Sequence, residues 1–184
     1  MSARIIVAAL PDELNHTPIP FDIPVIYTGV GKLNAAYALM QGIAKYQPKE
    51  IINFGTVGRV SRQVSGLVEV ADVIQRDMDA QPLCARGVTP YDETLNRFSS
   101  SFEGVRCATG DSFVRETDEW LVAQGVDVVD MELFALAFIC QKYNIPWRSF
   151  KFITDDTDSQ SGEDWQSRVH HGRELFLTKL ASLL

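Results

Sequence analysis

The sequence is poor in cysteine, histidine and basic charge, and each shortage excludes a class of protein. Its three cysteines, at positions 84, 107 and 140, are widely spaced and form no CxxC pair. A disulfide framework is therefore not expected, and a reduced, cytoplasmic compartment fits best. The three histidines, at 16, 170 and 171, form no set with metal-ligand spacing, so we expect no metal. We expect no organic cofactor either.

Charge and hydropathy limit the possible partners. Lys and Arg number 17 against 24 Asp and Glu, giving a formal net charge of −7. Proteins that bind nucleic acid usually carry a basic face, so nucleic acid is not an expected partner. No apolar run approaches the ~20 residues of a membrane span, and the opening IIVAAL is too short for the core of a signal peptide. We expect no membrane partner.

The chain has 184 residues, of which 46% are hydrophobic, enough for one domain of ordinary size. We expect a single domain over 1–184. Apolar runs typical of buried strands alternate with helical patterns. The predicted strands are 4–10, 24–30, 50–54, 67–74, 126–131 and 147–154, and the predicted helices are 32–46, 133–143 and 164–184. This alternation predicts a three-layer α/β/α sandwich around a twisted, mostly parallel sheet.

The segment 75–105 is the polar and irregular exception to this alternation. Long segments of this kind are uncommon inside compact domains and often carry function. We therefore expect it to leave the sheet and to form a substrate loop.

The stretch VVDMELFALAF (128–138) sets two carboxylates, Asp130 and Glu132, in an apolar run. On a strand they would share one face, with Met131 opposite. Glu132 would then lie at the carboxyl end of the strand, the edge where open α/β sheets bind ligands. A glutamate placed favourably in the first turn of the next helix explains the pattern equally well.

The segment FITDDTD (152–158) also runs from a buried strand into acids, Asp155, Asp156 and Asp158. A calcium loop starting at Asp156 would need Gly at 161 and Glu at 167, and serine stands at both. The glycine-bearing segments TGVGK (28–32) and NFGTVGR (53–59) complete neither a P-loop nor a dinucleotide fingerprint. We interpret them as tight turns that offer backbone N–H groups at the same sheet edge.

Six segments together, in order along the chain, resemble the purine nucleoside phosphorylase/hydrolase superfamily, and specifically its methylthioadenosine/S-adenosylhomocysteine nucleosidase branch. They are AALPDEL, TGVGKLNAA, NFGTVG, TGDSFV, VVDMELFALAFICQKYNIPW and FITDDTD. The specific part is DME…A…NIP followed by TDD. The resemblance implies a nucleoside phosphorylase-like fold, a small-molecule purine nucleoside as substrate and a homodimer.

The resemblance also implies roles for individual residues. Glu13 becomes the base that activates the attacking water, and Asp155 the acid facing the imidazole-ring nitrogen of the purine. Glu132 and Met131 would hold the ribose. The remaining substrate-binding residues implied are Thr56 and Val57 near the ribose and the nucleophile, and Phe113 and Val114 beside the purine. Asp130 is then expected to be structural.

The chemistry of N-glycosidic cleavage needs such residues. The transition state resembles an oxocarbenium ion, as in glycoside hydrolysis. Asp155 would have to be protonated near neutral pH, which burial and the neighbouring charge of Asp156 would favour, whereas Glu13 must be ionised. A carboxylate ~4 Å from the developing cation gains about 4 kcal/mol at an effective dielectric near 20. Glu132 can therefore bind the sugar and stabilise its cationic form.

Water is the expected nucleophile, because phosphorolytic relatives carry an arginine at the position of Asn53; Arg59 nearby is the reservation. The sequence departs from the family's pattern at Thr56, where serine is usual, and at Arg59, where glycine is usual. The chain is also shorter between Leu14 and Pro24 and through 75–105, regions expected to shape the pocket for the 5′ substituent. The substrate therefore stays open among methylthioadenosine, S-adenosylhomocysteine, deoxyadenosine and a hypoxanthine nucleoside such as futalosine. Phosphorolysis and a non-catalytic nucleoside-binding module are the alternatives.

Overall fold

The computed structural model describes residues 3–91, 96–116, 118–158 and 161–184. Its strands are Arg4–Ala8 (β1), Val25–Tyr27 (β2), Glu50–Arg59 (β3), Leu67–Gln75 (β4), Arg97–Ser99 (β5), Val105–Thr109 (β6), Val128–Asp130 (β7) and Trp147–Asp155 (β8). Its α-helices are Lys32–Tyr46 (α1), Glu119–Ala123 (α2), Leu133–Tyr143 (α3), Ser161–Arg168 (α4) and Arg173–Ala181 (α5), and a 3₁₀ helix spans Pro11–Leu14. The chain thus forms an α/β domain.

All eight described strands belong to one mixed sheet. Its order is β2-β1-β3-β7-β6-β4-β5, and β8 pairs with both β3 and β4. Strands β1, β2, β3 and β8 pair in parallel with one another, as do β4, β6 and β7. The two groups meet in antiparallel pairs, β3 with β7 and β4 with β8. Pairing therefore runs β3–β7–β6–β4–β8–β3, so part of the sheet closes into a ring of five strands.

Alternating side chains of the central strands enter two different cores. Ile5 and Val7 of β1 pack in a cluster with apolar residues of α1 and α3. Ile6 and Ala8 pack in a second cluster, with Phe176 and Leu180 of α5. Successive residues of a strand point to opposite faces, so both faces of β1 are covered. This explains why its sequence is continuously apolar rather than alternating.

Two predicted helices have the predicted bounds, α1 at 32–46 and α3 at 133–143. Helix α3 buries Leu133, Ala135, Leu136, Ala137, Ile139 and Cys140. These residues are spread around the helix, as expected for a helix that packs between neighbours. Helix α1 contacts it directly. No helix of the described ranges is both long enough and apolar enough to cross a membrane.

The predicted helix over 164–184 is wrong in its continuity, because α4 ends at Arg168 and α5 begins at Arg173. The interruption contains Gly172, where an added methyl group would lie 2.4 Å from Cβ of Phe152 on β8. The backbone at this point therefore packs closely on the sheet. The close contact fixes the glycine at the start of α5, whereas periodicity alone continued the helix through it.

The segment NFGTVGR is not a turn, which corrects the interpretation above. Strand β3 continues through it to Arg59. Its glycines are needed for space, since a methyl group on Gly55 would lie 3.1 Å from Nζ of Lys151 and 3.2 Å from Oε1 of Glu13. By contrast, TGVGK does form the turn before α1, with positive φ at Gly29 and Gly31.

The segment 75–105 leaves the sheet and then returns to it. The described part contains β5, which pairs with β4 in antiparallel orientation and forms an outer strand. Residues 92–95, within the predicted substrate loop, lie outside the described residues. Strand β6 begins at Val105, the last residue of the segment. The strands β5 and β6 and the helix α2 were not predicted from the sequence.

Candidate active site

One cavity of about 640 Å³ receives side chains from separate parts of the chain. Cavities that bind small molecules usually have volumes of about 300–1,000 Å³. All eight residues assigned a catalytic or substrate-binding role line it: Glu13, Thr56, Val57, Phe113, Val114, Met131, Glu132 and Asp155. They follow β1, β6 and β7, end β8 and occupy the second half of β3. The structure thus brings together acids that are 142 positions apart in the sequence.

Glu13 lies on the 3₁₀ helix, which begins at Pro11, with two residues between it and the end of β1, and its side chain is buried. Oε2 accepts hydrogen bonds from the backbone N–H groups of Ala9 (2.8 Å) and Leu10 (3.1 Å). Oε1 accepts from the backbone N–H (2.9 Å) and hydroxyl (3.1 Å) of Thr56. Burial raises the pKa of Glu13, and the charge of Lys151 and these hydrogen bonds oppose the rise. The carboxylate is therefore rigidly held.

Glu132 occupies the N-cap position of α3, just after β7. Its Oε1 accepts a hydrogen bond from the backbone N–H of Gly31 at 2.9 Å, in the turn that starts α1. Burial and the neighbouring charge of Asp130 raise the pKa of Glu132 to about 7. Because β7 ends at Asp130, strand alternation does not continue to Met131, and Met131 faces the same cavity as Glu132. Strand alternation, which would place Met131 opposite Glu132, does not apply here, and Met131 lines the cavity together with the other residues that the resemblance implies.

Both carboxylate oxygens of Asp130 accept hydrogen bonds from other residues of the protein. Oδ2 accepts from Nζ of Lys151 at 2.8 Å and from the backbone N–H of Leu133 at 2.9 Å, and Oδ1 accepts from the hydroxyl of Thr109. Burial would raise the pKa of Asp130, but the charge and hydrogen bond of Lys151 hold it below its usual value. Lys151 is itself almost fully buried. This ion pair links β7, β8 and the start of α3 beneath the cavity.

Asp155 is the last residue of β8 and is 6% exposed. The register between β3 and β8 shifts after Val57, so that Gly58 pairs with Asp155. Such a bulge changes the direction of a side chain. Oδ1 of Asp155 would lie 2.8 Å from a methyl group on Gly58, so glycine leaves the space that the carboxylate fills. Asp155 accepts hydrogen bonds from the hydroxyl of Thr154 (3.0 Å) and the backbone N–H of Thr157 (3.1 Å).

The turn after β6 carries Phe113 and Val114 and is anchored from two sides. The guanidinium of Arg76 donates to the backbone oxygens of Gly110 and Ser112 and to the hydroxyl of Ser112. On the other side, Asp111 accepts a hydrogen bond from the first backbone N–H of α1, at 2.7 Å. Phe113 is 51% exposed, so an apolar ring is available at the cavity.

Several residues that line the cavity or lie beneath it were not predicted from the sequence, and some of them carried a signal. Lys151 is a charged residue inside the apolar run SFKFIT, the same anomaly that drew attention to Asp130 and Glu132. Arg76 is buried at the end of β4, where the segment 75–105 begins. Helix α4 contributes Glu163, Trp165 and Gln166. The contact between α4 and the cavity was not predicted, because the residues of α4 were assigned to one long helix.

Arg59 does not line this cavity. Its guanidinium forms an ion pair with Asp156 at 2.5–2.6 Å, and both residues line a separate polar depression with Val60, Arg62 and Asp158. Asn53 is buried, and its amide donates to the backbone oxygen of Val7 and accepts from the hydroxyl of Ser149. Neither residue offers a free charged group to an anion in the main cavity.

Comparison with known proteins gives a family and a group of relatives. The model of the phosphorylase superfamily matches residues 22–184. A 5′-methylthioadenosine/S-adenosylhomocysteine nucleosidase of Buchnera aphidicola is 25% identical over 174 residues, 80% of this chain and 73% of that protein. An aminodeoxyfutalosine nucleosidase of Helicobacter pylori is 25% identical over 191 residues, 89% of this chain and 81% of that protein.

Solved structures share the fold. The crystal structure of 5′-methylthioadenosine/S-adenosylhomocysteine nucleosidase from Helicobacter pylori with butyl-thio-DADMe-Immucillin-A superposes with a TM-score of 0.86 at 20% identity. The superposition covers 99% of this chain and 97% of that chain. The overall architecture described above is therefore one that solved structures also adopt.

Proposed function

The chain belongs to the phosphorylase superfamily, and from this membership and the cavity we propose that the protein is a purine nucleoside N-ribohydrolase. It would cleave the N-glycosidic bond and release the free base. The observation that carries the proposal is the convergence of Glu13, Glu132 and Asp155 on one cavity of nucleoside size. These three acids are far apart in sequence, and binding alone would not require a base and an acid together.

In the proposed reaction, Asp155 donates a proton to the departing purine and Glu13 removes a proton from the attacking water. The C–N bond breaks with both electrons passing to the base, and the water oxygen forms the new bond to the ribose carbon. Glu132 accepts hydrogen bonds from the sugar hydroxyls and stabilises the positive charge on the ring. Each acid or base role typically contributes ~10²–10⁴ in rate, and carboxylate stabilisation adds to it.

Water is the proposed nucleophile, since a phosphate dianion needs charged or N–H partners. Asn53 is neutral and occupied within the protein, and Arg59 is paired with Asp156 outside the cavity. Arg76 is a cation that lines the cavity, but three of its five N–H donors are already used by the turn 110–112, which makes it less available to an anion. Thr56 is also occupied, because its N–H and its hydroxyl hold Glu13.

Adenine nucleosides with a 5′ substituent, such as methylthioadenosine or S-adenosylhomocysteine, are the proposed substrates, because relatives with these names match the chain. The aminodeoxyfutalosine nucleosidase of Helicobacter pylori, with comparable identity, favours a second candidate, a futalosine-type nucleoside. The turn after β6, which carries Phe113 and Val114, would bind the base of either substrate. The residues around the 5′ position would determine which of the two substrates is preferred.

The proposal is tested by measuring released base from methylthioadenosine, S-adenosylhomocysteine, adenosine, inosine and futalosine, with and without phosphate. We expect release without phosphate, and Asp155→Asn and Glu13→Gln should each lower kcat/KM by at least ~10². A requirement for phosphate would make the protein a phosphorylase. Tight binding without release of base would make it a binding module, and near-full activity of both variants would disprove the roles assigned to the acids.

We further propose that the protein is a homodimer of single-domain subunits with three-layer α/β/α architecture. Helices that pack on both faces of β1 and β3 support the three layers. An exposed stripe of α1, formed by Leu33, Tyr37 and Met40, supports the dimer. Contiguous exposed apolar surface often marks an interaction site, and closed pairs are the commonest oligomers.

A further inference from the structure

A chain of hydrogen bonds connects the helix α4 to Glu13. The indole Nε1–H of Trp165 donates to the hydroxyl oxygen of Thr56 at 2.9 Å. That hydroxyl lies 3.1 Å from Oε1 of Glu13. Trp165 lines the cavity from α4 and is partly buried. Three separate elements, α4, β3 and the 3₁₀ helix, are therefore joined through two side-chain hydrogen bonds.

The direction of this chain is fixed by chemistry. An indole N–H can only donate, and a hydroxyl has one proton to donate and two lone pairs to accept. The hydroxyl of Thr56 therefore accepts from Trp165 and directs its own proton to the carboxylate of Glu13. Without the indole, the hydroxyl would lose the partner that favours this rotamer and could turn its proton elsewhere.

We propose that Trp165 is a positioning residue that orients the Thr56 hydroxyl toward Glu13 and so links the placement of α4 to the ionisation of the base. The inference rests on the proposed function, in which Glu13 is the base. It gives α4 a second role besides forming one wall of the cavity, because the hydrogen bond made by Trp165 would change the proton affinity of Glu13, which lies on another element.

The Thr56 hydroxyl is well placed for this effect. Within the described ranges, the other three hydrogen bonds to Glu13 come from backbone N–H groups, of Ala9, Leu10 and Thr56. These donors cannot turn away, whereas a hydroxyl can. Its hydrogen bond is among the interactions that lower the pKa of Glu13 against the effect of burial.

Other charged or titratable groups also surround Glu13 and must stay unchanged in a test. Lys151 of β8, Tyr27 of β2 and Glu132 at the start of α3 interact with Glu13 electrostatically. In addition, Glu163 of α4 lines the same cavity, and Arg173 of α5 acts on Tyr27. Substitutions confined to Trp165 and Thr56 leave all five in place. A shift in the titration of Glu13 can then be assigned to the hydrogen-bond chain.

The test compares the pH dependence of kcat/KM for Trp165→Phe, Thr56→Val and the double variant. Loss of a hydrogen bond to the ionised carboxylate favours its protonated form. The part of the acidic limb that Glu13 contributes, beside the part that Glu132 contributes, should therefore move upward by roughly one pH unit. Both single variants should show this shift, and the double variant no further shift, because they break the same chain. Thr56→Ser, which keeps the hydroxyl, should retain the limb of the unmodified protein.

Trp120→Phe is the matched control. Trp120 lies on α2 against Arg86 and does not line the cavity, so its substitution should leave the pH profile unchanged. If Trp165→Phe raises KM but leaves the acidic limb in place, Trp165 only forms a wall of the cavity and the inference is overturned.

A second measurement does not depend on turnover. In ¹⁵N–¹H spectra, the indole signal of Trp165, assigned by its loss in Trp165→Phe, should change with the titration of Glu13. The change should disappear in Thr56→Val and in Glu13→Gln. If the indole signal changes with pH in the same way in Thr56→Val and Glu13→Gln as in the unmodified protein, the inference is overturned. Absence of nucleosidase activity together with a responsive signal would disprove the proposed function and leave the coupling intact.

Discussion

At the scale of single residues, the cavity combines buried acids with opposite electrostatic surroundings. Asp130 is paired with Lys151 and its pKa is lowered, whereas Glu132, two positions along, has a pKa raised to about 7. The difference follows from the partners, since Asp130 has a cation at 2.8 Å, whereas the hydrogen bond that Glu132 accepts within the described residues comes from a backbone N–H at 2.9 Å. Glu132 therefore keeps its capacity to interact with a bound cationic group.

Glu132→Gln should stabilise the folded protein at alkaline pH while lowering activity. The folded-state pKa of about 7 exceeds the ordinary value of 4.5, so the folded protein binds the extra proton between these values. The stability that this proton contributes is complete below pH 4.5 and is lost as pH rises through 7. Glutamine does not titrate and can still accept from Gly31. Its free energy of unfolding should exceed that of the unmodified protein by about 2–3 kcal/mol at pH 8.

Urea unfolding at pH 5 and pH 8 measures this effect. The difference between the two proteins should be small at pH 5 and appear at pH 8, and kcat/KM of the variant should fall by at least ~10². A stability difference that is the same at both pH values would contradict the raised pKa. Glu50→Gln serves as a partly exposed control, since Glu50 pairs with Arg4 away from the cavity.

Some residues of the cavity were predictable from the sequence pattern and others were not. Glu132 and Asp155 stood out because they interrupt or end apolar runs, so the pattern alone drew attention to them. Glu13 gave no such signal and was found only through the resemblance, because a short 3₁₀ helix after Pro11 has no periodicity to detect. Lys151 interrupts an apolar run in the same way, so the same signal predicts it.

At the scale of secondary structure, the bulge between β3 and β8 determines where Asp155 lies. Gly58 pairs with Asp155 because β8 contains one extra residue there. A methyl group on Gly58 would come within 2.7 Å of the Thr157 side chain and 2.8 Å of Asp155. The site thus depends on the fit between an irregular strand and a residue without a side chain.

Gly58→Ala should lower kcat/KM by about 10-fold or more, because the methyl group displaces the carboxylate of Asp155 and small displacements of catalytic groups are costly. In an Asp155→Asn background the same substitution should have little further effect, if it acts through Asp155. Steady-state assays of the two single variants and the double variant measure this coupling. Fully additive losses would show that Gly58 acts in another way.

The elements were predictable where local pattern and tertiary structure agree. Helix α1 has apolar periodicity and helix α3 is a continuous apolar run, both end in αL residues at their C-caps, Gln47 and Asn144, and their bounds were correct. Strands β5 and β6 were not predicted, because short strands in a polar segment are recognisable only through their pairing with β4. The break before α5 likewise depends on contact with Phe152, which is remote in sequence.

At the scale of the whole molecule, the uncharged stripe of α1 should control association. Leu33 and Tyr37 are 83% and 68% exposed, and Val30 and Phe113, also exposed, line the cavity nearby. Leu33→Asp would bring a charge into the proposed interface, and buried unpaired charges are strongly unfavourable. Sedimentation at micromolar concentration should therefore change from dimer to monomer.

Val122→Asp provides the matched control for this prediction. Val122 is 65% exposed on α2, so the substitution introduces the same charge on a similarly exposed apolar residue away from α1. It should leave the dimer intact. A monomeric unmodified protein, or equal dissociation by both substitutions, would contradict the proposed interface.

The ring of paired strands also affects the tendency of the protein to aggregate at high concentration. Closure leaves β2 and β5 as the outer strands of the sheet, and each is three residues long. Unpaired backbone groups on a long outer strand can recruit another chain and start aggregation, and very short outer strands are one way to avoid this. The same closure that arranges the cavity thus leaves little template for intermolecular β-pairing, which favours a protein that tolerates high concentration.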